Sequence, residues 1–168
     1  MFQTTLSARS ALLAASLFIA FGASAENLPT KQAREKGVSA CVEKIDQIAE
    51  HLTKNNKDYW TNTTTVKNGA NKRLFNSQLI INYSDGPGAV VMNVAQSPSG
   101  KCDGTYTRVI TFEKSCINAR ESDFKSWTYI TEKGGGIALN NSETSVDAML
   151  LPVGPANCVA VLTEVVYN

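Results

Sequence analysis

The sequence predicts an α+β fold: one long N-terminal helix packed on an antiparallel sheet of five to seven strands, crosslinked by two disulfides. Three observations predict it. Between Thr30 and Asn55 the apolar residues Val38, Cys41, Val42, Ile45, Ile48, Ala49 and Leu52 recur at i, i+3, i+4, i+7, the spacing of a helix with one buried face. Past Asn55-Asn56 the pattern switches to period two. Cys41, Cys102, Cys116 and Cys158 form an even set in a chain that begins like an exported protein.

The first 25 residues read as a signal peptide. Arg9 supplies a positive n-region, Ala11 to Phe21 an apolar core and Ala23-Ser24-Ala25 the small-residue cleavage pattern, placing cleavage after Ala25. The apolar core falls short of the roughly 20 residues a spanning helix needs, and no later segment approaches that length without charges, so no membrane insertion is expected after cleavage. Cys41 lies well past the cleavage point, which excludes a lipoprotein-type anchor. The expected destination is periplasmic or secreted. Removing Arg9 with the signal leaves fifteen bases against fifteen acids. A net charge near zero offers no electrostatic footprint for nucleic acid or an anionic membrane.

Residues 26–168 suit a single α+β domain, able to bury roughly 70% of its unfolded surface, with no internal repeat, low-complexity tract or linker in view. The predicted helix turns Lys36, Glu43, Lys44, Asp46 and Glu50 to solvent. Strands are expected over Tyr59 to Val66, Leu74 to Tyr83, Ala89 to Ala95, Thr105 to Glu113, Trp127 to Lys133 with a continuation through Ile137 to Leu139, Val146 to Pro152, and Cys158 to Tyr167. Asp85 to Gly88 (DGPG) and Asn140 to Ser145 (NNSETS) carry turn chemistry. In the second strand Phe75, Leu79, Ile81 and Tyr83 share one face, while Asn76, Gln78 and Asn82 share the other with Leu74 and Ile80. The last strand is apolar on both faces through Val159, Val161, Leu162, Val165 and Val166, which places it inside the sheet. A short helix fits between Cys116 and Lys125, with Phe124 turned inward.

No C-x2-C spacing occurs, so neither a zinc site nor a redox pair is expected of the cysteines. Cys102 and Cys116 bracket a strand of ten or so residues whose ends stand roughly 33 Å apart, whereas a disulfide needs Cα atoms within about 7 Å. They cannot pair with each other, which also removes Cys41 with Cys158. An up-and-down sheet favours Cys41 with Cys102 and Cys116 with Cys158; Cys41 with Cys116 and Cys102 with Cys158 stays open.

With the thiols consumed, the chain offers little for catalysis, and no catalytic residue, metal site or cofactor is expected. His51 is the single histidine, and a lone helical histidine without a nucleophile and an orienting group fills no catalytic checklist. Asp103, Glu113, Glu132, Asp147 and Glu164 fall into no motif, which leaves a carboxylate-based hydrolase as the remotest reading. Serine-hydrolase, phosphate-loop and dinucleotide motifs are absent, and Gly134-Gly135-Gly136 reads as a bulge or a strand tip.

Two loops are the candidate partner-binding sites: Ser97 to Gly104 (SPSGKCDG), presenting Lys101 and Asp103 beside a bridged cysteine, and Glu132 to Gly136 (EKGGG), presenting Lys133. A loop pinned by a disulfide loses less entropy on binding. The segments SGK at Ser99 to Lys101 and Tyr129-x-x-x-Lys133-Gly134 are similar to short loop motifs of bacterial lysozyme inhibitors, a similarity that implies loops inserted into an enzyme cleft. The first segment lacks the tyrosine spacing that should follow it and a helix precedes the strands, so no family is assigned. The expected function is that of a small exported binding or inhibitory protein acting on a protein partner in the periplasm. An envelope structural or assembly accessory is the alternative.

Overall fold

The computed structural model describes residues 26–167 other than 55, 57, 67 and 85. The expected signal peptide lies outside the described residues. The single long N-terminal helix is not what forms. Two helices occupy that stretch, α1 (Leu28–Glu35) and α2 (Val42–Thr53). Gly37 separates them at φ +80°, a left-handed conformation that costs glycine no Cβ clash. Its N–H donates to the Arg34 carbonyl at 2.9 Å and the Val38 N–H donates to the Ala33 carbonyl at 2.9 Å. These are the two hydrogen bonds of a Schellman stop, completed by the apolar Val38 and Ala33, both buried in the same core. The apolar periodicity continues across the break because both helices pack on the same core.

Asn27 starts α1 by accepting from the Thr30 N–H at 3.0 Å, and its side-chain amide donates to Asp46 of α2 at 2.6 Å. The Thr30 hydroxyl also reaches Asp46, at 2.9 Å. The capping residue of one helix is thereby tied to its neighbour.

Eight strands follow, not five to seven: β1 (Tyr59–Thr64), β2 (Phe75–Tyr83), β3 (Gly86–Gln96), β4 (Cys102–Phe112), β5 (Thr128–Lys133), β6 (Gly136–Asn141), β7 (Val146–Pro152) and β8 (Cys158–Val166). A third helix, α3 (Cys116–Ser122), lies between β4 and β5. The expected continuation of the fifth strand is a strand of its own. Gly134 and Gly135 both take positive φ and turn the chain in a two-residue hairpin. The expected turn at DGPG is also displaced, since Gly86, Pro87 and Gly88 belong to β3. Gly88 lies beneath the Tyr83 ring, where a Cβ would meet ring carbon Cε2 at 2.7 Å.

All neighbours are antiparallel, in the order β1-β2-β3-β4-β8-β7-β6-β5. Two four-stranded meanders therefore meet through their last strands, and β8 does lie inside the sheet. Each meander is preceded by a helix, and each helix is bonded to its own fourth strand. Cys41, the residue before α2, bridges to Cys102 at the start of β4, and Cys116, the first residue of α3, bridges to Cys158 at the start of β8. The favoured connectivity is the one found.

The architecture repeats although the sequence shows no repeat. Aligning Cys102 with Cys158 puts Thr107 on Thr163 and Arg108 on Glu164. Both incoming hairpins close alike, through Ser97 N–H to the Lys101 carbonyl at 2.7 Å and Val153 N–H to the Asn157 carbonyl at 2.9 Å. Thr107 and Thr163 also pair directly across the β4–β8 ladder, hydroxyl to hydroxyl at 3.1 Å. An approximate twofold axis passes between them.

Both helical layers cover the same face of the sheet. One core gathers α1, α2 and β1 to β4 around Ile45, Ile48, Phe75, Leu79, Met92 and Tyr106. The other gathers α3 and β6 to β8 around Phe124, Leu139, Leu150 and Ala160. Phe112, Phe124 and Trp127 stack edge to face within the second core. Because β4 and β8 run antiparallel, the two layers occupy opposite corners of that face.

The long loops closed by the bridges, with separations of 61 and 42 residues, are each worth about 4 kcal/mol in the chain-entropy account. Replacing either pair by alanine is expected to lower the unfolding free energy by about that amount in denaturant titration; a loss below ~1 kcal/mol would show that the staples are idle. Gly104 tests the closeness of α2 to β4, since a Cβ there would meet Ile48 Cδ1 at 2.4 Å and the Asn93 carbonyl at 3.3 Å. Gly104→Val should cost about 2 kcal/mol in the same assay.

Candidate functional site

Lys101 is exposed in the five-residue turn between β3 and β4, which is held by Ser97 and by Gln96, whose amide donates to the Gly100 carbonyl at 3.1 Å. Asp103 follows on β4, half-buried on the face away from the helices and opposite Ala95. Lys133 ends β5 opposite Gly136. The two loops are not brought together. β4 starts at the end of the sheet where β8 finishes, whereas β5 finishes at the other end, with β8, β7 and β6 in between.

The carboxylates also diverge. Asp103 and Asp147 point to the bare face, where the Asn140 amide donates to Asp147 at 2.9 Å. Glu164 points to the helical side, because it pairs with Tyr106, a core residue. There the structure assembles a group that residue spacing does not reveal. The Tyr106 hydroxyl, in a side chain 2% exposed, donates to the Glu164 carboxylate and lies 3.1 Å from His51 Nε2. With its proton committed to Glu164, the phenol oxygen is left as acceptor, so His51 must carry its proton on Nε2. Burial, reinforced by the hydrogen bond and charge of Glu164, pushes the phenol well above its ordinary value. Arg108 stands over the Tyr106 ring, 5.8 Å from its centroid.

This group sits in the seam between the two helical layers, where α2 ends and α3 has not begun. It joins α2, β4 and β8 by polar contacts at the junction of the two apolar cores. Its chemistry is that of a neutral phenol held between an imidazole N–H that donates to it and a carboxylate that accepts from it. A small, partly open hollow of about 10 Å³ lies elsewhere, beside Cys41, Val38 and Phe75, with room for one water at most.

The larger feature is the face the helices leave bare. Side chains in direct register share a face, so the ladder can be followed across the sheet. Trp60 stands opposite Ile80, Ile80 opposite Ala89, and Ala89 opposite Val109. The row continues through Val161, Met149 and Ala138, and ends at Thr131 of β5. One apolar side chain per strand thus crosses seven strands. Trp60 is 57% exposed, Ile80 54% and Met149 50%. Val91, Val159 and Leu151 widen the row. Beside it runs a second row, Asn62, Gln78, Val91, Thr107, Thr163, Asp147 and Asn140, polar apart from Val91 and carrying one charge, Asp147. At about 4.8 Å per strand the apolar row is roughly 34 Å long.

Comparison of the chain with protein-family models, curated proteins and solved structures finds no match in any of the three. The alternation that places Ile80 on the wet side of β2 is visible in the sequence, but the row is not. It exists only in the register between strands.

Substituting Tyr106→Phe removes a proton that Glu164 accepts and should cost about 1–3 kcal/mol of stability near neutral pH. The pH dependence has a definite sign. A phenol raised in the folded state contributes stability that is intact below its ordinary value of 10.0 and lost as the pH climbs above it. Alkaline unfolding should accordingly be shallower in Tyr106→Phe than in the unaltered chain; equal slopes would count against the buried phenol.

Proposed function

We propose that this chain is a small exported binding protein that acts by protein–protein contact through the bare face of its sheet, not by catalysis. The observation that supports this most is the apolar row from Trp60 to Ala138, since folded monomers rarely leave an ordered apolar strip of this length open to water. Its partner is a protein surface that is itself apolar and uncharged, because the row and its polar neighbours offer side chains for packing and hydrogen bonding with few charges to be paired. Both disulfides are compatible with an exported protein, and no helix among the described residues is long and apolar enough to cross a membrane. The signal-peptide pattern of the first 25 residues, with cleavage after Ala25, supports a periplasmic or secreted location. A rigid sheet stapled on its other side to helices presents the row without an ordering cost.

A second reading, an assembly accessory that accepts a strand at its sheet edge, draws on β5, whose six residues are all exposed. The register shift between Tyr129 and Thr131 and the charge of Lys133 oppose it, since bulges and edge lysines discourage strand addition.

The two surfaces and the two loops separate in one binding experiment on the oxidised protein. Ile80→Asp and Met149→Asp, both on the bare face, should abolish partner capture while changing unfolding free energy by no more than about 0.5–1 kcal/mol. Lys101→Glu and Lys133→Glu should leave capture intact. Capture lost in the lysine variants and kept in the aspartate variants would transfer the function to the loops.

A further inference from the structure

We infer that the occupant of the bare sheet face is a second copy of this chain, packed face to face; this rests on the reading of that face as a protein-contact surface. The inference comes from the order of side-chain sizes along the apolar row. A twofold axis lying between two such sheets, parallel to the strands and passing over the β4–β8 junction, lays the row of one copy on the row of the other in reverse order. Trp60 then meets the Thr131 position of the second copy, Ile80 meets Ala138, Ala89 meets Met149, and Val109 meets Val161. Every large side chain falls opposite a small one and the medium pair meets at the axis. Interdigitation of this kind is what aligned sheet-on-sheet packing requires.

Charge and area agree with that occupant. A twofold contact sets like residues near one another, so unpaired charges close to the axis would repel. The row carries none. Asp147, the one charge in the flanking row, falls under this axis opposite Val91 and not opposite its own copy, and the Asn140 amide that donates to it at 2.9 Å is its partner there. The row with one neighbouring row on each side covers about 700 Å² per copy, taking ~4.8 Å between strands and ~6.8 Å per row, near the roughly 800 Å² per partner of a standard stable interface.

Sedimentation velocity on the purified, oxidised protein tests the inference. The unaltered chain should sediment as a dimer at micromolar concentration. Val109→Lys places two lysines at the axis facing Val161 of the opposite copy and should weaken the dimer by about 100-fold or more. Adding Val161→Glu to the same chain sets a carboxylate against each lysine and should restore it. Ala138→Trp should likewise break the dimer by colliding with Ile80, and Ala138→Trp with Ile80→Ala should restore it. A monomer at every concentration overturns the inference, as does a dimer indifferent to all four variants. If the unaltered chain is monomeric yet Ile80→Asp still abolishes capture of a different protein, the second copy is excluded and the contact-surface reading stands. If neither assay responds to the face, both are excluded. Unchanged urea midpoints for the single variants establish that any loss is not unfolding.

Discussion

β4 and β8 are paired through nine register positions, from Gly104 opposite Val166 to Phe112 opposite Cys158, and the rest of the molecule depends on that ladder. Alone, each meander would end in an exposed strand edge and carry a helical layer over part of one face. Joined at those edges, the two become one eight-stranded sheet whose open edges are only β1 and β5. Because the joining strands are antiparallel, the helices land at opposite corners of the same face. One face is thereby thickly covered and the other left bare across its full width.

The staples follow from the same ladder. A helix packed on a sheet at a corner is anchored best at its first turn, where the chain enters from a loop. Both bridges hold that point to the start of the strand that joins the halves. Between the layers the ladder leaves a gap, and it is filled with polar groups. The Tyr106 phenol, the His51 imidazole and the Glu164 carboxylate satisfy one another there, which matters because an unpaired polar atom at such depth is costly. Arg108 and Glu164, at corresponding positions of the two halves, show how a repeated framework acquires different chemistry on its two sides.

Much of the architecture was legible in the residues. Alternation located seven of the eight strands to within about three positions, and the extended span between Cys102 and Cys116 removed a connectivity that the structure also lacks. The break in the N-terminal helix was hidden by packing: Val38 on one side of Gly37 and Ala33 on the other serve the same core, so the periodicity runs through a stop whose only local mark is Lys36-Gly37-Val38. The eighth strand was hidden by a two-residue turn between runs of matching pattern. The repeat was invisible because only the half-cystines, Thr107 with Thr163 and Val109 with Val165 persist between β4 and β8. Of the candidate site, Lys101, Asp103 and Lys133 could be named from loop chemistry, but the bare row and the Tyr106 group arise from register and tertiary contact, which no linear spacing encodes.

The sulfur pairs are consecutive along the chain: the first half-cystine bonds the second, and the third bonds the fourth. A polypeptide that emerges N-terminus first from a narrow conduit therefore exposes each complete couple before the next one arrives. Oxidation in simple order of appearance already yields the native connectivity. Consecutive pairing of this kind needs no reshuffling of wrongly joined thiols to reach the native bonds, and the first half can be locked before the second pair is available.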